Sequence, residues 1–549
     1  MVKTETNTMK QILKITGMIY MMAMLIMSCH EDLNQFPIDP DSFTEEDVFL
    51  NPTEAKSALA KLYASLAVTG QQGPAGQPDI SDIDEGASQF SRVLFNLNEL
   101  TTDHCVVGWG DPGLPDLHAL SWSASNDFTE AMYYRLAQQV SFCNSFIHNA
   151  ELLLPDQEVE SYIAEARFLR AYAYYNLIDL YANVPLSTTV TTELPHQSTR
   201  SELVNFVESE LLEIEGQLKE SGANEYGRVD RVAAWALLSR LYLNAEAWTG
   251  TAKYSESVNY SSMVLNSTYS INTNDGNGNG SAYDELFLAD NNSNGAQNEF
   301  IFSINFDGLQ SQTYGGTTFL VHGALGGNMD PAVFGINGGW AGYRATGALV
   351  SKFNESVTSS DENGYPVAWA DHRALFHTDG QLYEISTIAN AFDNGYAVTK
   401  FKNVDINGNQ GSDSGGDFVD TDLPLIRLAE ISLNYAEAVL RGGSGGDVNT
   451  AVEYVNELRE RAYGDDSGLI TTADLTLEFV LDERSRELYW EGMRRTDLIR
   501  YHLFTGSEYL WPWKGNAKSG IAVDESRKLF PLPNNIIVIN PNLTQNPGY

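Results

Sequence analysis

Apolar residues recur at helical spacing in two long parts of the chain, and the clearest pattern lies in residues 158–181. There Ala164, Phe168, Ala171, Tyr175 and Ile178 fall on one face of a helix. Comparable patterns predict further helices over residues 52–66, 128–153, 201–218, 229–247, 254–265, 426–441, 447–462 and 475–503. Ser201 stands where an N-cap is expected. The sequence therefore predicts a mainly α-helical protein.

Between these helical parts, the chain is rich in residues that favour loops. Residues 70–84 are dense in Gly, Pro and Asp, and residues 270–425 are dense in Gly and Asn, with a short strand-like run at 300–306. We predict a single domain over residues 29–549, with a helical scaffold at about 50–66, 127–265 and 426–503. Long irregular segments tend to carry function, so residues 70–126 and 270–425 are the predicted binding part.

The N-terminus has the layout of an export signal. Lys3, Lys10 and Lys14 precede an apolar run over residues 15–27, which is too short for a comfortable membrane span. The run ends in Leu-Ile-Met-Ser before Cys29 and resembles a bacterial lipobox. We predict a signal peptide over residues 1–28 and lipid, such as palmitate, on Cys29. The alternative is a secretory signal with a coincidental cysteine.

Charge and cysteine content limit the classes of function that the sequence allows. The formal net charge is −40, which repels phosphate backbones and argues against nucleic-acid binding. The acidity is equally well explained by solubility alone. If Cys29 carries lipid, Cys105 and Cys143 remain. They can form one disulfide, although we expect buried free thiols.

Several predicted helices carry charged residues among their apolar positions. Examples are Glu165 and Arg167, Glu430 and Glu437, and the run of charges over residues 483–497. Buried carboxylates need cationic partners, and the fork-shaped guanidinium of Arg suits them. We interpret these charges as ion pairs between helices that set helix register, rather than as catalytic groups.

These charged runs, together with residues 530–533 and the ending at residues 540–549, resemble the SusD/RagB family. The resemblance extends over essentially the whole chain. It implies a non-catalytic glycan-binding lipoprotein on the surface of the outer membrane, with tetratricopeptide-like helix pairs, although no clean 34-residue repeat is visible. It also implies a partner, a TonB-dependent outer-membrane transporter that receives the captured oligosaccharide.

Residues 82–86, 95–100, 314–317 and 337–340 resemble the founding, starch-binding member of the family more specifically. This resemblance implies that Trp109, Tyr314 and Trp340 form an arc of rings against a glycan. Asp84 and Arg92 would then bond its hydroxyls. An aromatic face attracts the positively polarised C–H face of a pyranose, and charged side chains make directional hydrogen bonds.

The chain departs from that member at the rim of the implied site. Val107 stands where a second tryptophan is expected, and residues 110–113 replace an amide. A starch-like α-glucan is therefore the first prediction, and another glucan such as a β-1,3-glucan is the competing one. The other class of function is a helical-repeat adaptor that binds only proteins.

A calcium site is a further expectation. Asp290, Asn292 and Asn294 present oxygen ligands in the order that begins a calcium loop, but the twelfth position is Ile301 rather than an acid. Asp420 and Asp422 could complete a discontinuous site, as the resemblance implies, and the alternative is a polar turn. No serine-hydrolase, zinc or phosphate-loop motif is present, and we predict that the protein is not an enzyme.

Overall fold

The structure is a computed structural model that describes residues 14–16 and 49–549, so the predicted lipidation at Cys29 lies outside the described residues. From residue 49 onward the helices, numbered here in chain order, are α1 Pro52–Ala67, α2 Glu85–Ser88, α3 Phe90–Asn98, α4 Leu114–His118, α5 Asp127–Ala150, α6 Gln157–Tyr181, α7 Arg200–Ile214, α8 Arg231–Thr249, α9 Tyr254–Leu265, α10 Gly316–Gly323, α11 Gly347–Val350, α12 Leu428–Leu440, α13 Val448–Tyr463, α14 Leu477–Leu488, α15 Arg494–Arg500 and α16 Asn534–Ile539.

The strands are short and pair only in twos. They are β1 Cys105–Val107, β2 Phe300–Ile304, β3 Tyr343–Ala345, β4 Val357–Ser360, β5 Pro366–Trp369, β6 Phe376–His377, β7 Ala397–Val398 and β8 Leu423–Arg427. The antiparallel pairs are β1 with β3, β2 with β8, β4 with β5, and β6 with β7. The prediction of a mainly α-helical fold is confirmed.

Polar side chains at the helix ends explain where most of the long helices begin. Asp156 caps α6 by accepting bonds from the backbone N–H groups of Glu158 and Val159. The predicted cap of α7 was wrong by two residues. Thr199, not Ser201, is the N-cap, and it forms a capping box with Glu202. The Thr199 hydroxyl accepts a bond from the main-chain N–H of Glu202, and the Glu202 carboxylate accepts one from the main-chain N–H of Thr199.

The single helix predicted over residues 475–503 is in fact two helices. The structure ends α14 at Leu488 and begins α15 at Arg494. Trp490 and Gly492 between them have φ values of 68° and 77°, which a right-handed helix cannot contain. Trp490 is buried against Phe95. Burial of this large ring gives the break a tertiary cause that helical periodicity does not reveal.

The helical scaffold is built by neighbours along the chain. Helices α5 and α6 pack together, as do α6 with α7, α7 with α8, and α8 with α9. The C-terminal helices join this array where α12 packs on α9 and α13 packs on α12. Apolar side chains from α1 to β8 and beyond form one continuous core. Cys105 and Cys143 are both buried and free.

Buried ion pairs connect the helices to the loop-rich part. Glu487 on α14 accepts bonds from three guanidinium groups, those of Arg373, Arg427 and Arg461. Arg427 also pairs with Glu299 at 3.0 Å, so α14, β8 and the loop before β2 are held together. The interpretation of the helix charges as structural ion pairs is confirmed. Within residues 14–16 and 49–549, no helix is long and apolar enough to cross a membrane.

Candidate functional site

The side chains of the five predicted glycan-binding residues meet in one cleft of about 800 Å³, although they come from separate segments. Trp109 follows β1, Tyr314 precedes α10, and Trp340 precedes β3. Asp84 directly precedes α2, and Arg92 lies on α3. The cleft is therefore made where the loop-rich part meets the first helices. Its other lining residues are Pro74, Ala75, Gly76, Gln77, Pro78, Asp82, Ile83, Glu85, Gly86 and Asp111.

The three rings stand side by side with Trp340 in the middle. The ring centroids of Trp109 and Trp340 are 6.3 Å apart at an interplanar angle of 49°, and those of Tyr314 and Trp340 are 6.4 Å apart at 55°. Trp109 and Trp340 are half-buried, and Tyr314 is 37% exposed. Their edges are supported by protein while part of each ring remains open. The tilts make the aromatic surface curved rather than flat.

Close packing against a glycine sets the position of Trp109. A Cβ atom added to Gly342 would lie 2.4 Å from the Trp109 ring, so only glycine permits this approach. The indole Nε1 donates to the carbonyl of Trp340 at 2.8 Å. Tyr343 contacts the indole edge-on, with centroids 5.2 Å apart. Trp109 is therefore held in one orientation before any ligand arrives.

A histidine supports Trp340 from behind. The rings of His322 and Trp340 are stacked, with centroids 4.8 Å apart and planes within 20°. His322 Nδ1 lies 2.6 Å from the carbonyl of Gly338, so this nitrogen carries the proton and donates. Burial lowers the pKa of His322, which keeps the ring neutral. Sequence reasoning missed this residue because its role depends only on tertiary contact.

Arg92 connects the aromatic row to the polar side of the cleft. Its guanidinium lies over the Phe319 ring at 4.8 Å and donates to the carbonyl of Tyr314 at 3.2 Å. Its Nε is buried and has no hydrogen-bond partner among the described residues. Burial lowers the pKa of Arg92 while the nearby carboxylates oppose that effect, and arginine remains charged at neutral pH.

The acidic side of the cleft is formed around Gly86. A Cβ atom added to Gly86 would lie 2.8 Å from Arg92 Nη1 and 3.3 Å from Asp84 Oδ1, so both charged groups lie very near this glycine. Asp84 is exposed, and its side chain does not cap α2. Glu85 is buried instead, where it accepts bonds from Thr69 and Thr313, and burial raises its pKa. Asp84 is thus an exposed carboxylate of the cleft, as are Asp82 and Asp111.

The structure also shows how the rim differs from the pattern expected for the family. Val107 is buried in β1 opposite Tyr343 and adds no ring to the cleft. Asp111 lines the cleft within the segment that replaces the expected amide. Residues 74–78 form another part of the wall, and the sequence predicted them only as a loop. The Gly and Pro content of residues 74–78 predicts a loop, but it does not predict where in the fold that loop lies.

The residues predicted to bind calcium are only partly brought together. Asn291 links two of the segments through reciprocal bonds with the Asp422 main chain, and Asn292 is exposed. The carboxylates, however, already face N–H or O–H donors. Asp290 accepts from Ile406 and Asn294, Asp420 from Gly308 and Ser412, and Asp422 from Phe306 and Tyr226.

A cation beside these carboxylates would meet the positive ends of those N–H and O–H bonds. The arrangement therefore does not fit a bound calcium ion, and we derive no role for one from Asp290, Asn292, Asn294, Asp420 and Asp422. Burial raises the pKa of Asp422 to about 7. Calcium at this place stays a prediction from the sequence.

Comparison with known proteins agrees with this architecture. The model described as "SusD family" matches residues 370–549, and the one described as "Starch-binding associating with outer membrane" matches residues 54–243. The chain is 36% identical to the starch-binding protein SusD of Bacteroides thetaiotaomicron, over 99% of this chain and 100% of that protein. It is 24% identical to the SusD-like protein P2 of Formosa agariphila, over 98% and 99% of the two chains.

Solved structures share the fold. A SusD superfamily protein from Bacteroides thetaiotaomicron aligns with a TM-score of 0.68 at 21% identity, covering 91% of this chain and 100% of that one. The surface glycan-binding protein A from Bacteroides fluxus aligns with a TM-score of 0.66 at 22% identity and the same coverage. The fold is that of a SusD-like protein. The chain belongs to the SusD family, and the resemblance noted in the sequence is confirmed.

Proposed function

We propose that this protein captures a glucan in the cleft formed by Trp109, Tyr314 and Trp340. The observation that carries the proposal is the row of three partly open rings with a carboxylate and a guanidinium at its side. Each ring offers a face to the C–H side of a sugar, while Asp84 and Arg92 bond its hydroxyls. Because the rings are tilted by about 50° to one another, the surface suits a curved chain better than a straight one.

A starch-like α-glucan is the first candidate ligand. Its support is the curvature of the aromatic row and the similarity to a relative that is named as starch-binding. A β-1,3-glucan is the competing ligand, because Val107 and Asp111 change the rim of the cleft. A direct comparison of amylopectin, pullulan and laminarin separates these candidates.

We further propose that the captured glycan is released intact and is delivered to a TonB-dependent transporter in the outer membrane. The family model's description supports the location, and lipid on Cys29 would keep the protein beside the transporter. Hydrolysis requires an acid and a base on either side of the scissile bond. The Glu85 carboxylate is committed to Thr69 and Thr313, and the relative that matches the full chain is named as a binding protein, so we expect binding without cleavage.

Affinity electrophoresis and calorimetry with the three glucans test the proposal. We expect Trp340→Ala to abolish retention by the preferred glucan, since Trp340 contacts both neighbouring rings, and Trp109→Ala and Tyr314→Ala to weaken it. Trp235→Ala is the matched control, because Trp235 is a half-buried tryptophan on α8 outside the cleft. It should bind as the unaltered protein does.

The alternative of a protein-binding adaptor predicts a different result. In that case none of the glucans is retained by the unaltered protein, and the three cleft variants behave like the Trp235→Ala control. Release of reducing sugar ends during incubation would contradict the non-catalytic part of the proposal. Fractionation of cells that produce Cys29→Ala tests the anchor, which predicts loss of the protein from the membrane fraction.

A further inference from the structure

The two stretches of chain that line the glycan cleft are poor in positively charged residues. All of the lining residues lie within residues 62–134 and 254–343. These stretches make up more than a quarter of the chain, yet Arg92 is their only Lys or Arg, although the whole chain has 33 such residues. The scarcity of cations is therefore a local property of the segments that build the cleft.

Carboxylates outnumber the one guanidinium of the cleft. Asp82, Asp84 and Asp111 are exposed lining residues. Glu85 also lines the cleft and is buried. Among the described residues that line the cleft, Arg92 is the only cation that opposes these four groups. Exposed aspartates are negatively charged at neutral pH, so the potential in the cleft is negative, and the net charge of −40 on the whole protein adds to it.

Arg92 is poorly placed to neutralise an anionic ligand. Its guanidinium lies over the Phe319 ring at 4.8 Å and donates to the carbonyl of Tyr314 at 3.2 Å, so part of its surface is already used. Burial lowers the pKa of Arg92, and Asp111 and Asp84 act in the opposite direction because they lie close to its charge. The positive charge of Arg92 is thus offset within the cleft itself.

The three exposed carboxylates of the cleft are open to solvent. Within the part of the chain that the structure describes, the side-chain oxygens of Asp82, Asp84 and Asp111 accept no hydrogen bond from protein groups, whereas Glu85 accepts bonds from two threonine hydroxyls. A ligand that enters the cleft therefore meets these charges directly. A sugar hydroxyl can donate to such an oxygen, but an anionic group cannot.

We propose that the cleft is a charge filter, which admits uncharged glucans and rejects glycans that carry carboxylate, sulfate or phosphate groups. This inference rests on the proposed function of the cleft as a glucan-binding site. It assigns Asp82 and Asp111 the role of specificity-determining residues beside Asp84. Like charges brought together in a binding site are repulsive, and this repulsion distinguishes ligands that have the same shape.

Calorimetry with derivatives of one glucan tests the filter. The glucan is whichever of amylopectin, pullulan and laminarin the unaltered protein retains, and it carries carboxymethyl, hydroxyethyl or aminoethyl groups at the same low density. These groups are similar in size and differ in charge. At an ionic strength of about 0.01 M, we expect the carboxymethyl form to bind at least about tenfold more weakly than the hydroxyethyl form. The aminoethyl form should bind at least as tightly as the hydroxyethyl form, and the differences should shrink at about 1 M salt.

Asp82→Asn combined with Asp111→Asn tests whether the cleft carboxylates cause the discrimination. Asp82 has a φ of 66°, which asparagine also tolerates, so the turn should be retained. We expect discrimination against the carboxymethyl form to fall to about threefold or less. Glu151→Gln combined with Glu193→Gln is the matched control, because it removes the same charge from exposed positions outside the cleft. The control should discriminate as the unaltered protein does.

The filter is overturned if the carboxymethyl and hydroxyethyl forms bind equally, since charge would then have no effect. It is also overturned if the cleft variant and its control discriminate equally, because the charge of the whole protein would then be responsible. Should the double variant fail to fold by circular dichroism, the two single variants provide the same comparison. If none of the unmodified glucans is retained, the proposed function fails, and the filter fails with it.

Discussion

The indole N–H of Trp109 donates a 2.8 Å hydrogen bond to the main-chain carbonyl of Trp340, which joins the two tryptophans of the cleft across 231 positions of sequence. The bond links the segment after β1 to the segment before β3, and the pairing of these two strands brings the segments together. The aromatic surface is therefore preformed. A preformed surface loses little conformational entropy when it binds a ligand.

Replacement of Gly342 by alanine should displace Trp109. The added Cβ would lie 2.4 Å from ring carbons of the indole, and the neighbouring strand β3 leaves the main chain little room to move. We expect glucan affinity to fall by about tenfold, equivalent to about 1.4 kcal/mol. Calorimetry measures the loss. Gly110→Ala is the control, because nothing lies within 4 Å of its added Cβ; equal affinities for the two variants would contradict the prediction.

Loss of the ring behind Trp340 should also weaken binding. His322→Ala removes a stacking partner and the bond to the Gly338 carbonyl, and leaves Trp340 free to change orientation. We expect a three- to tenfold loss of affinity, about 0.7–1.4 kcal/mol. His322→Phe keeps an aromatic ring at this position and should recover part of the lost affinity. Since burial lowers the pKa of His322, the ring stays neutral and binding by the unaltered protein should be constant between about pH 7 and 8.

Asp103 is the carboxylate of a buried ion pair with Arg494, which lies 391 positions later in the chain. The two Asp103 oxygens accept bonds from Arg494 at 2.7 Å each, and Tyr509 donates a third. Asp103→Asn leaves the guanidinium buried without its counter-charge, so we expect the free energy of unfolding to fall by about 3–5 kcal/mol. Glu213→Gln, in an exposed pair with Arg167, should cost less than about 1 kcal/mol. Urea unfolding compares the two.

Acid should destabilise the protein through Glu487. Although burial raises the pKa of this carboxyl, Arg461, Arg427 and Arg373 outweigh that effect and lower it to about 2. A carboxyl whose pKa is lower in the folded state stabilises the fold above its unfolded pKa, near 4.3. That contribution is lost as pH falls from about 5 to 2. Thermal melting should show this decline, and Glu487→Gln should be less stable at pH 7 and less sensitive to acid.

Much of the fold could be predicted from the sequence because helical signals are local. Tyr254–Leu265 was predicted with the bounds that the structure has, and Gln157–Tyr181 was predicted to within one residue. The charged runs within the helices were correctly interpreted as structural, since a carboxylate among apolar residues needs a cation. The errors at Thr199 and Trp490 occurred where side-chain bonding and ring burial override periodicity.

By itself, the sequence determined the helical class, the family resemblance and the identity of five cleft residues. Short motifs and helical periodicity depend only on residues that lie close together along the chain. Only the tertiary structure decided that Asp84, Arg92, Trp109, Tyr314 and Trp340 share one cleft, since they come from segments up to 256 positions apart. It also decided that His322 supports Trp340 and that Gly342 makes room for Trp109. Such contacts depend on the pairing of β1 with β3, a long-range register that no local pattern contains.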